Sequence, residues 1–300
     1  FIHYFFGEST AGGKDFKDAD FSGNIINVDC LTYAGNAESL NDIEKKYGKN
    51  SGNQRYFFEK VDICDRAEIE RIFSQYDIDT VVHFAAESHV DRSILGPETF
   101  IKTNVMGTYT LLDVARKYWN VSLDNIRDDV LFHHISTDEV YGSLGDEGYF
   151  LETTPYDPRS PYSSSKASSD HIVMAYYHTY GLPVTLSNCT NNYGPFQFPE
   201  KLLPLMINNI KTGKNLPVYG DGKNIRDWIY VEDHNRGVWE IVKKSPAGEK
   251  WNLGGENEWQ NIKLLNTVIE LVSEELNLNS DDVKKTITYV KDRPGHDRRY

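Results

Sequence analysis

No stretch of this 300-residue sequence approaches the roughly 18 consecutive apolar residues of a membrane-spanning helix. The apolar opening Phe1-Ile2-His3-Tyr4-Phe5-Phe6 is too short for a signal-peptide core and lacks its charged start. Cysteine is scarce. Cys30, Cys64 and Cys189 are scattered without metal-site spacing, which reads as reduced thiols in a cytoplasmic protein. Positive charge is also short: 32 Lys and Arg stand against 45 Asp and Glu, a net charge of -13. A nucleic-acid backbone would be repelled, so nucleic acid is not the main partner, and an anionic ligand would need local cations. The phosphate-loop pattern is not met between Gly7 and Lys14, since Gly13 stands where lysine is required and Asp15 follows Lys14. Residues 7–23 read as a polar, flexible connection. There is no initiator Met, no internal repeat and no low-complexity tract.

What is present is ample for a core: 39% hydrophobic residues and 13% aromatics over a length that makes one large domain or two small ones. Asn24-Ile25-Ile26-Asn27-Val28-Asp29 reads as a buried strand ending in an acid. Residues 55–61 read as a strand ending at Asp62-Ile63, 66–76 as an amphipathic helix, and 80–86 as an apolar strand that stops before Glu87-Ser88-His89. A long helix over 98–118, a strand over 130–136 and a loop over 142–158 follow. Residues 161–180 read as an amphipathic helix, 183–187 as the last strand of the large sheet, and 188–195 as a turn-rich exit. Beyond it the pattern predicts a helix from Phe198 to about Lys211, a strand and turn over 216–220, residues 224–228 leading into Val231-Glu232-Asp233-His234 and a helix, a strand over 251–254 and a helix over 262–276.

The chemistry concentrates between Ser136 and Lys166. Thr137, Asp138 and Glu139 sit where a strand gives way to a loop, and open α/β sheets bind ligands at the carboxyl ends of their strands. Tyr162 and Lys166, four apart at the start of the next helix, share one face. A lysine beside a phenol favours the phenolate, lowers its pKa from about 10 and makes it a general base. Each feature has a plainer meaning, since Tyr-x-x-x-Lys is common on helix surfaces, Asp-Glu makes solvated turns and Asp29 could cap a helix or turn. His89 reads as structural. His133 and His134 are adjacent on a strand and point to opposite faces, so they cannot share a metal ion, and no metal is expected.

Ser-Thr-Asp-Glu at a strand end, followed by Ser-Pro-Tyr-x-x-x-Lys on the next long helix, resembles the extended short-chain dehydrogenase/reductase family. The Thr-Asp-Glu triplet resembles its nucleotide-sugar dehydratases. Segments from Asn24 to Tyr300 share the resemblance, among them Ile225-Arg226-Asp227-Trp228 and Asp292-Arg293-Pro294-Gly295-His296; Thr190 stands where the family has serine. The family begins with a strand and a glycine-rich turn and continues past Asp292–Tyr300, so the sequence is expected to be a fragment clipped at both ends, holding NAD weakly.

The resemblance implies a Rossmann-type, doubly wound parallel α/β sheet over residues 1–190 and a smaller α/β nucleotide-sugar domain over 191–300. The implied cofactor is NAD rather than NADP, since Asp29 would repel a 2′-phosphate. Its expected contacts are Asp29, Leu31, Thr32, Gly35, Asp62, Ile63, Phe84, Ala85, Ala86, Ser88, Thr103, Asn192, Tyr162 and Lys166. For the nucleotide sugar they are Ser88, Thr137, Asp138, Glu139, Asn191, Lys201, Leu202, Pro217, Tyr219, Arg226, Asn261, Arg293 and His296. The implied reaction is a lyase cycle on dTDP-glucose: Tyr162 deprotonates the 4-hydroxyl, Thr137 bonds the same oxygen, Glu139 removes the C5 hydrogen and Asp138 protonates the leaving 6-hydroxyl. A 4-epimerase, a dehydratase acting on a UDP or GDP sugar, and a non-catalytic nucleotide-sugar binder remain open. The resemblance also implies a homodimer built on the two long helices.

Overall fold

The computed structural model describes residues 1–6, 21–122 and 125–300. The phosphate-loop look-alike and most of the connection expected over 7–23 lie outside the described residues. A short helix, α1 (Ile2–Phe6), precedes β1 (Ile25–Val28), α2 (Asn41–Tyr47), β2 (Tyr56–Glu59), α3 (Arg66–Tyr76) and β3 (Thr80–His83). Then come α4 (Val90–Leu95), α5 (Pro97–Phe100), a π-helical segment (Ile101–Gly107), α6 (Thr108–Trp119), a small hairpin of β4 (Asn120–Ser122) and β5 (Asn125–Ile126), β6 (Leu131–Thr137) and α7 (Pro161–Tyr180). The remainder is β7 (Val184–Cys189), β8 (Asn191–Tyr193), α8 (Leu202–Lys211), β9 (Leu216–Tyr219), β10 (Ile225–Tyr230), α9 (Val231–Lys244), β11 (Lys250–Leu253), β12 (Glu258–Gln260), α10 (Asn261–Leu276), α11 (Ser280–Lys284) and β13 (Ile287–Val290). Among the described residues no helix is long and apolar enough to cross a membrane.

The fold is α/β, with parallel strands covered by helices. The central sheet has the order β11-β7-β6-β3, and β1 pairs in parallel with β2 in a separate ribbon. β7 is therefore not the last strand of the large sheet. After the chain has left at Cys189, Lys250–Leu253 returns to pair with Leu186–Cys189. Phe132, Leu112, Val114, Ala115, Trp119, Val173, Leu182 and Val184 form the main core, where α3, α6 and α7 meet the sheet. A second apolar cluster, with Met206, Leu216, Leu265 and Ile269, joins α8 and α10 to β9, and β13 pairs with β9. The exit after Cys189 is partly a strand, because β8 pairs with β10.

The expected helix over 98–118 is interrupted. The Asn104 carbonyl accepts from Thr108 Oγ1 and from Ser169 Oγ, each at 2.6 Å. Hydroxyls that compete for a helix carbonyl loosen the helical ladder, and single π turns recur at functional sites. Gly107 lets this segment close on the turn that follows β2; a Cβ there would stand 2.4 Å from Ile63 Cδ1.

Helix α7 starts and stops where the sequence predicts, but its buried face is polar. Ser163, Ser165, Lys166, Ser169 and Asp170 lie under it with Ala167 and Val173. The start is fixed by a reciprocal cap: Ser160 Oγ accepts from Ser163 N–H and Ser163 Oγ from Ser160 N–H, both at 3.0 Å. Pro161 at the first turn suits the fixed backbone angle there. Ser160→Ala should cost about 1 kcal/mol of stability, read as a lower thermal midpoint.

Candidate active site

The carboxyl end of β6 delivers Thr137 into a tight 3-10 turn, Asp138–Tyr141. Thr137 caps that turn. Its Oγ1 accepts from Glu139 N–H at 3.3 Å and donates to Asp138 Oδ1 at 3.2 Å. Asp138 is 6% exposed, and its Oδ2 has no hydrogen-bond partner among the described residues. Burial pushes this carboxyl far above the usual carboxylate range, the neighbouring Glu139 charge pushes it further, and Arg226 only partly opposes them. Its surroundings therefore favour the protonated form of Asp138. Glu139 is half-exposed. One of two adjacent carboxyls is thus a buried acid while the other reaches the cleft.

Tyr162 is buried on the first turn of α7, its ring against Val90 and Phe100. Its phenol departs from the sequence expectation. It is held well above 10, by burial first, then by the charges of Glu139 and Cys189, with a Thr137 hydrogen bond opposing. Lys166 is not among the main influences on the phenol, and its ammonium turns inward. Lys166 Nζ donates to the Ile135 carbonyl at 2.8 Å and lies 3.4 Å from His134 Nε2. Sharing a helix face brought the two side chains to one side of α7 but not their heads to one point.

His133 and His134 do face opposite ways. His133 contacts Thr185 and Ser187 hydroxyls, and His134 approaches Lys166 and Asp170. Among the described residues no group of three His, Cys, Asp or Glu could hold a metal ion. His89 caps α4, its Nδ1 accepting from Arg92 N–H at 3.5 Å.

The residues expected around a dinucleotide lie at carboxyl ends of parallel strands. Asp29 follows β1 and is exposed, its Oδ1 accepting from Leu31 N–H at 2.7 Å. Leu31 has φ of +52°, and a Cβ on Gly35 would stand 2.6 Å from Leu31 Cα, so this loop needs glycine. Thr32 closes it, its carbonyl accepting from Gly35 N–H. Asp62 follows β2 and accepts from Cys64 N–H, while the Ile63 side chain is packed in the core. Phe84, Ala85 and Ala86 follow β3, with Phe84 exposed. Thr103 lies on the π segment beside Asn104, the pair that the resemblance places on the cofactor side. Asn104 bonds Glu87 at both backbone groups and Ser165 Oγ, tying the loop after β3 to α7. Asn192, on β8, has a buried Oδ1 with no partner among the described residues. Exposed carboxylates for sugar hydroxyls, a close-approach glycine loop and an unpaired buried amide oxygen fit an adenine dinucleotide.

Two cations of the second half, Lys201 and Arg293, reach the loop before α4 and α4 itself. Lys201 Nζ donates to Ser88 O (3.0 Å) and to Ser88 Oγ (3.2 Å), and burial depresses its pKa. Tyr219 donates to Asp91 at 2.9 Å, and Arg293 reaches the other oxygen of Asp91 at 3.5 Å, its Nε buried and unpaired among the described residues. His296 bonds Asp292 at 2.6 Å, and burial holds its pKa down at about 4. Asn191 opens β8, Leu202 opens α8 next to Lys201, Pro217 lies on β9, and Asn261 starts α10 with an unpaired buried Oδ1 among the described residues. Arg226 spends its fork on the carbonyls of Ile225 (2.7 Å) and Asp297 (2.8 Å) and stacks 3.8 Å from the Tyr300 ring. Asp91, Asp170 and Tyr300 were missed from the sequence. Only Asp170 had a signal there, four residues after Lys166.

A family model described as GDP-mannose 4,6 dehydratase matches residues 22–300. The dTDP-glucose 4,6-dehydratase of Salmonella typhimurium is 55% identical over 285 residues, covering 92% of this chain and 77% of that protein. That of Neisseria meningitidis is 54% identical over 280 residues, with the same coverage. A dTDP-glucose 4,6-dehydratase of Streptomyces venezuelae, solved with NAD and TYD bound, superposes with a TM-score of 0.81 at 41% identity, covering 94% of this chain and 79% of that one. The UDP-glucose 4-epimerase of Thermotoga maritima, solved with UDP-glucose, superposes at 0.76 with 27% identity, covering 92% and 80%.

Proposed function

Because the chain belongs to the GDP-mannose 4,6 dehydratase family, we propose that it dehydrates dTDP-glucose to dTDP-4-keto-6-deoxyglucose. It is an NAD-dependent lyase. The observation that carries this reading is the carboxyl pair after β6: a buried Asp138 whose surroundings favour its acid form, next to a less buried Glu139. A plain dehydrogenase or a 4-epimerase has no use for an acid and a base side by side. Elimination of water needs both, with pKa values pushed apart by their surroundings.

NAD would be held by Asp29 and the loop Leu31, Thr32 and Gly35, by Asp62, Ile63, Phe84, Ala85, Ala86, Ser88, Thr103 and Asn192, and by Tyr162 and Lys166; when bound it would supply a hydride acceptor and donor and a positive ring charge that favours the Tyr162 phenolate. Tyr162 accepts the proton of the sugar's 4-hydroxyl. Thr137 holds the same oxygen, and its hydrogen bond is the one protein contact that lowers the phenol's pKa. The 4-ketone acidifies the C5 hydrogen, which Glu139 removes. Asp138 gives its proton to the departing 6-hydroxyl, and that oxygen leaves as water. Lys201, Arg226, Arg293 and His296 face the diphosphate, and Asn191, Leu202, Pro217, Tyr219 and Asn261 line the nucleotide.

Residues 191–300 serve as the nucleotide-sugar part and 1–190 as the NAD part. Two copies pair through the π-helical segment, α6 and α7, where Ile101, Met106, Tyr109 and Tyr180 are exposed, and the enzyme acts in the cytoplasm with its three cysteines as free thiols. The test is mass spectrometry of the product from dTDP-glucose and NAD. Loss of one water, with the alkaline absorbance of a 4-keto sugar, is the expected result. An unchanged mass and a galactose-configured product would make the protein an epimerase.

A further inference from the structure

Beneath Tyr162 lies a buried polar cluster that the reaction above does not use. Asp170 sits one turn after Lys166 on α7, 2% exposed. Its Oδ2 accepts from Ser136 Oγ at 2.8 Å, Tyr156 OH at 2.9 Å and Asn188 Nδ2 at 3.4 Å. Its Oδ1 is 3.3 Å from His134 Nε2, the same nitrogen that stands 3.4 Å from Lys166 Nζ. Asn188 Nδ2 also donates to the Thr137 carbonyl at 3.1 Å. The cluster therefore links the strand end that carries the Thr137 turn to the helix that carries Tyr162 and Lys166.

A buried ammonium needs an anion, and the surroundings supply one. Every element packed around Lys166 contributes a titratable group: His134 from β6, His83 from β3, Cys189 from β7, Tyr162 and Asp170 from α7 itself, and Tyr156 and Tyr141 from the loop and turn, with Lys250 of β11 over the Tyr156 ring. The two histidines are neutral, because burial holds both pKa values well below 6.5. Burial pushes the Cys189 thiol up to about 12, and the tyrosines are raised too, so all are neutral at working pH. Asp170 is the anion of this set at pH 7, with a carboxyl that burial raises only to about 6 because Lys166 and three hydrogen bonds oppose it. Lys166 is depressed by burial to about 8, with Asp170 the first group to oppose the fall.

We propose that Asp170 is a positioning residue for the reaction: fixed by Ser136, Tyr156 and Asn188, it is the buried anion that keeps Lys166 charged under Tyr162. It touches neither substrate nor cofactor and acts through Lys166. The proposal rests on the Tyr162–Lys166 reading of the site.

The direct test is the pH titration of Lys166 by NMR of protein with 13C-labelled lysine, its signal assigned by loss in Lys166→Met. The parent should titrate near the depressed value given above. In Asp170→Asn the midpoint should fall by about one unit, a tenfold change in the protonation equilibrium. The alkaline limb of kcat/KM for dTDP-glucose should move down with it, and Asp170→Glu should restore both in part. An unmoved midpoint in a folded Asp170→Asn protein, or activity lost equally at every pH, would overturn the proposal. Should Asp170→Asn not fold, Tyr156→Phe serves instead. It removes one hydrogen bond to the carboxylate, so Asp170 should protonate at higher pH and be charged over less of the range in which Lys166 titrates; the Lys166 midpoint should fall by less than one unit, and an unmoved midpoint counts against the proposal. Failure of the underlying site reading shows separately, as Lys166→Met and Tyr162→Phe proteins that turn over like the parent.

Discussion

Glu139→Gln is expected to oxidise the sugar and then stop. The amide keeps the size of Glu139 and most of its hydrogen-bonding capacity but cannot take the C5 proton, so formation of 4-keto-6-deoxy product should fall by about 100- to 10,000-fold, the usual worth of a general base. Absorbance of reduced nicotinamide should still grow on mixing with dTDP-glucose, because oxidation at C4 depends on Tyr162 and Thr137. The pH dependence of that first half should also change in a stated direction. The Glu139 charge raises both the Tyr162 phenol and the Asp138 carboxyl. Removing it lets the phenol deprotonate at lower pH, so the rise of oxidation with pH should move to lower pH. Rapid-mixing spectroscopy across pH checks both points, and full dehydration by the variant would mean that another group is the base.

Tyr162→Phe should instead silence both halves. The ring and its packing against Val90 and Phe100 remain, so the fold and nucleotide affinity should hold. The variant lacks the oxygen that accepts the 4-hydroxyl proton and the partner of the Thr137 hydrogen bond. Cofactor reduction and product formation should both drop by about 100- to 10,000-fold. The contrast separates the roles: Glu139→Gln accumulates reduced cofactor, Tyr162→Phe does not. Equal cofactor reduction in the two variants would contradict the assignment of Tyr162.

Much of this was legible in the sequence because local signals and tertiary packing agree there. Helices α3 and α7 fall on the predicted residues, since each has a side-chain cap, Asp65 and Ser160, at its start. Thr137–Glu139 could be placed at a strand end because β6 is an almost fully buried run with a sharp turn after it. Three features were not legible. The return of Lys250–Leu253 to the large sheet is a pairing across more than fifty residues, which no local pattern encodes. The π segment depends on Ser169 and Thr108 hydroxyls meeting one carbonyl and on Gly107 closing against Ile63. The direction in which Lys166 points was misjudged because helical spacing fixes which face a residue shares, not what its long side chain finds beneath it. There it found the Ile135 carbonyl and His134, and the phenol above it is raised first by burial and then by Glu139.

The central claim is that one site oxidises C4, eliminates water across C5 and C6 and returns the same hydride. The most direct measurement follows dTDP-glucose carrying deuterium at C4 through the reaction, with the product read by mass spectrometry and NMR. The account predicts a product lighter by one water, with the deuterium at C6 and a solvent-derived hydrogen at C5. Deuterium returned to C4, in a sugar that has kept its 6-hydroxyl, would contradict it and leave Asp138 and Glu139 without their roles.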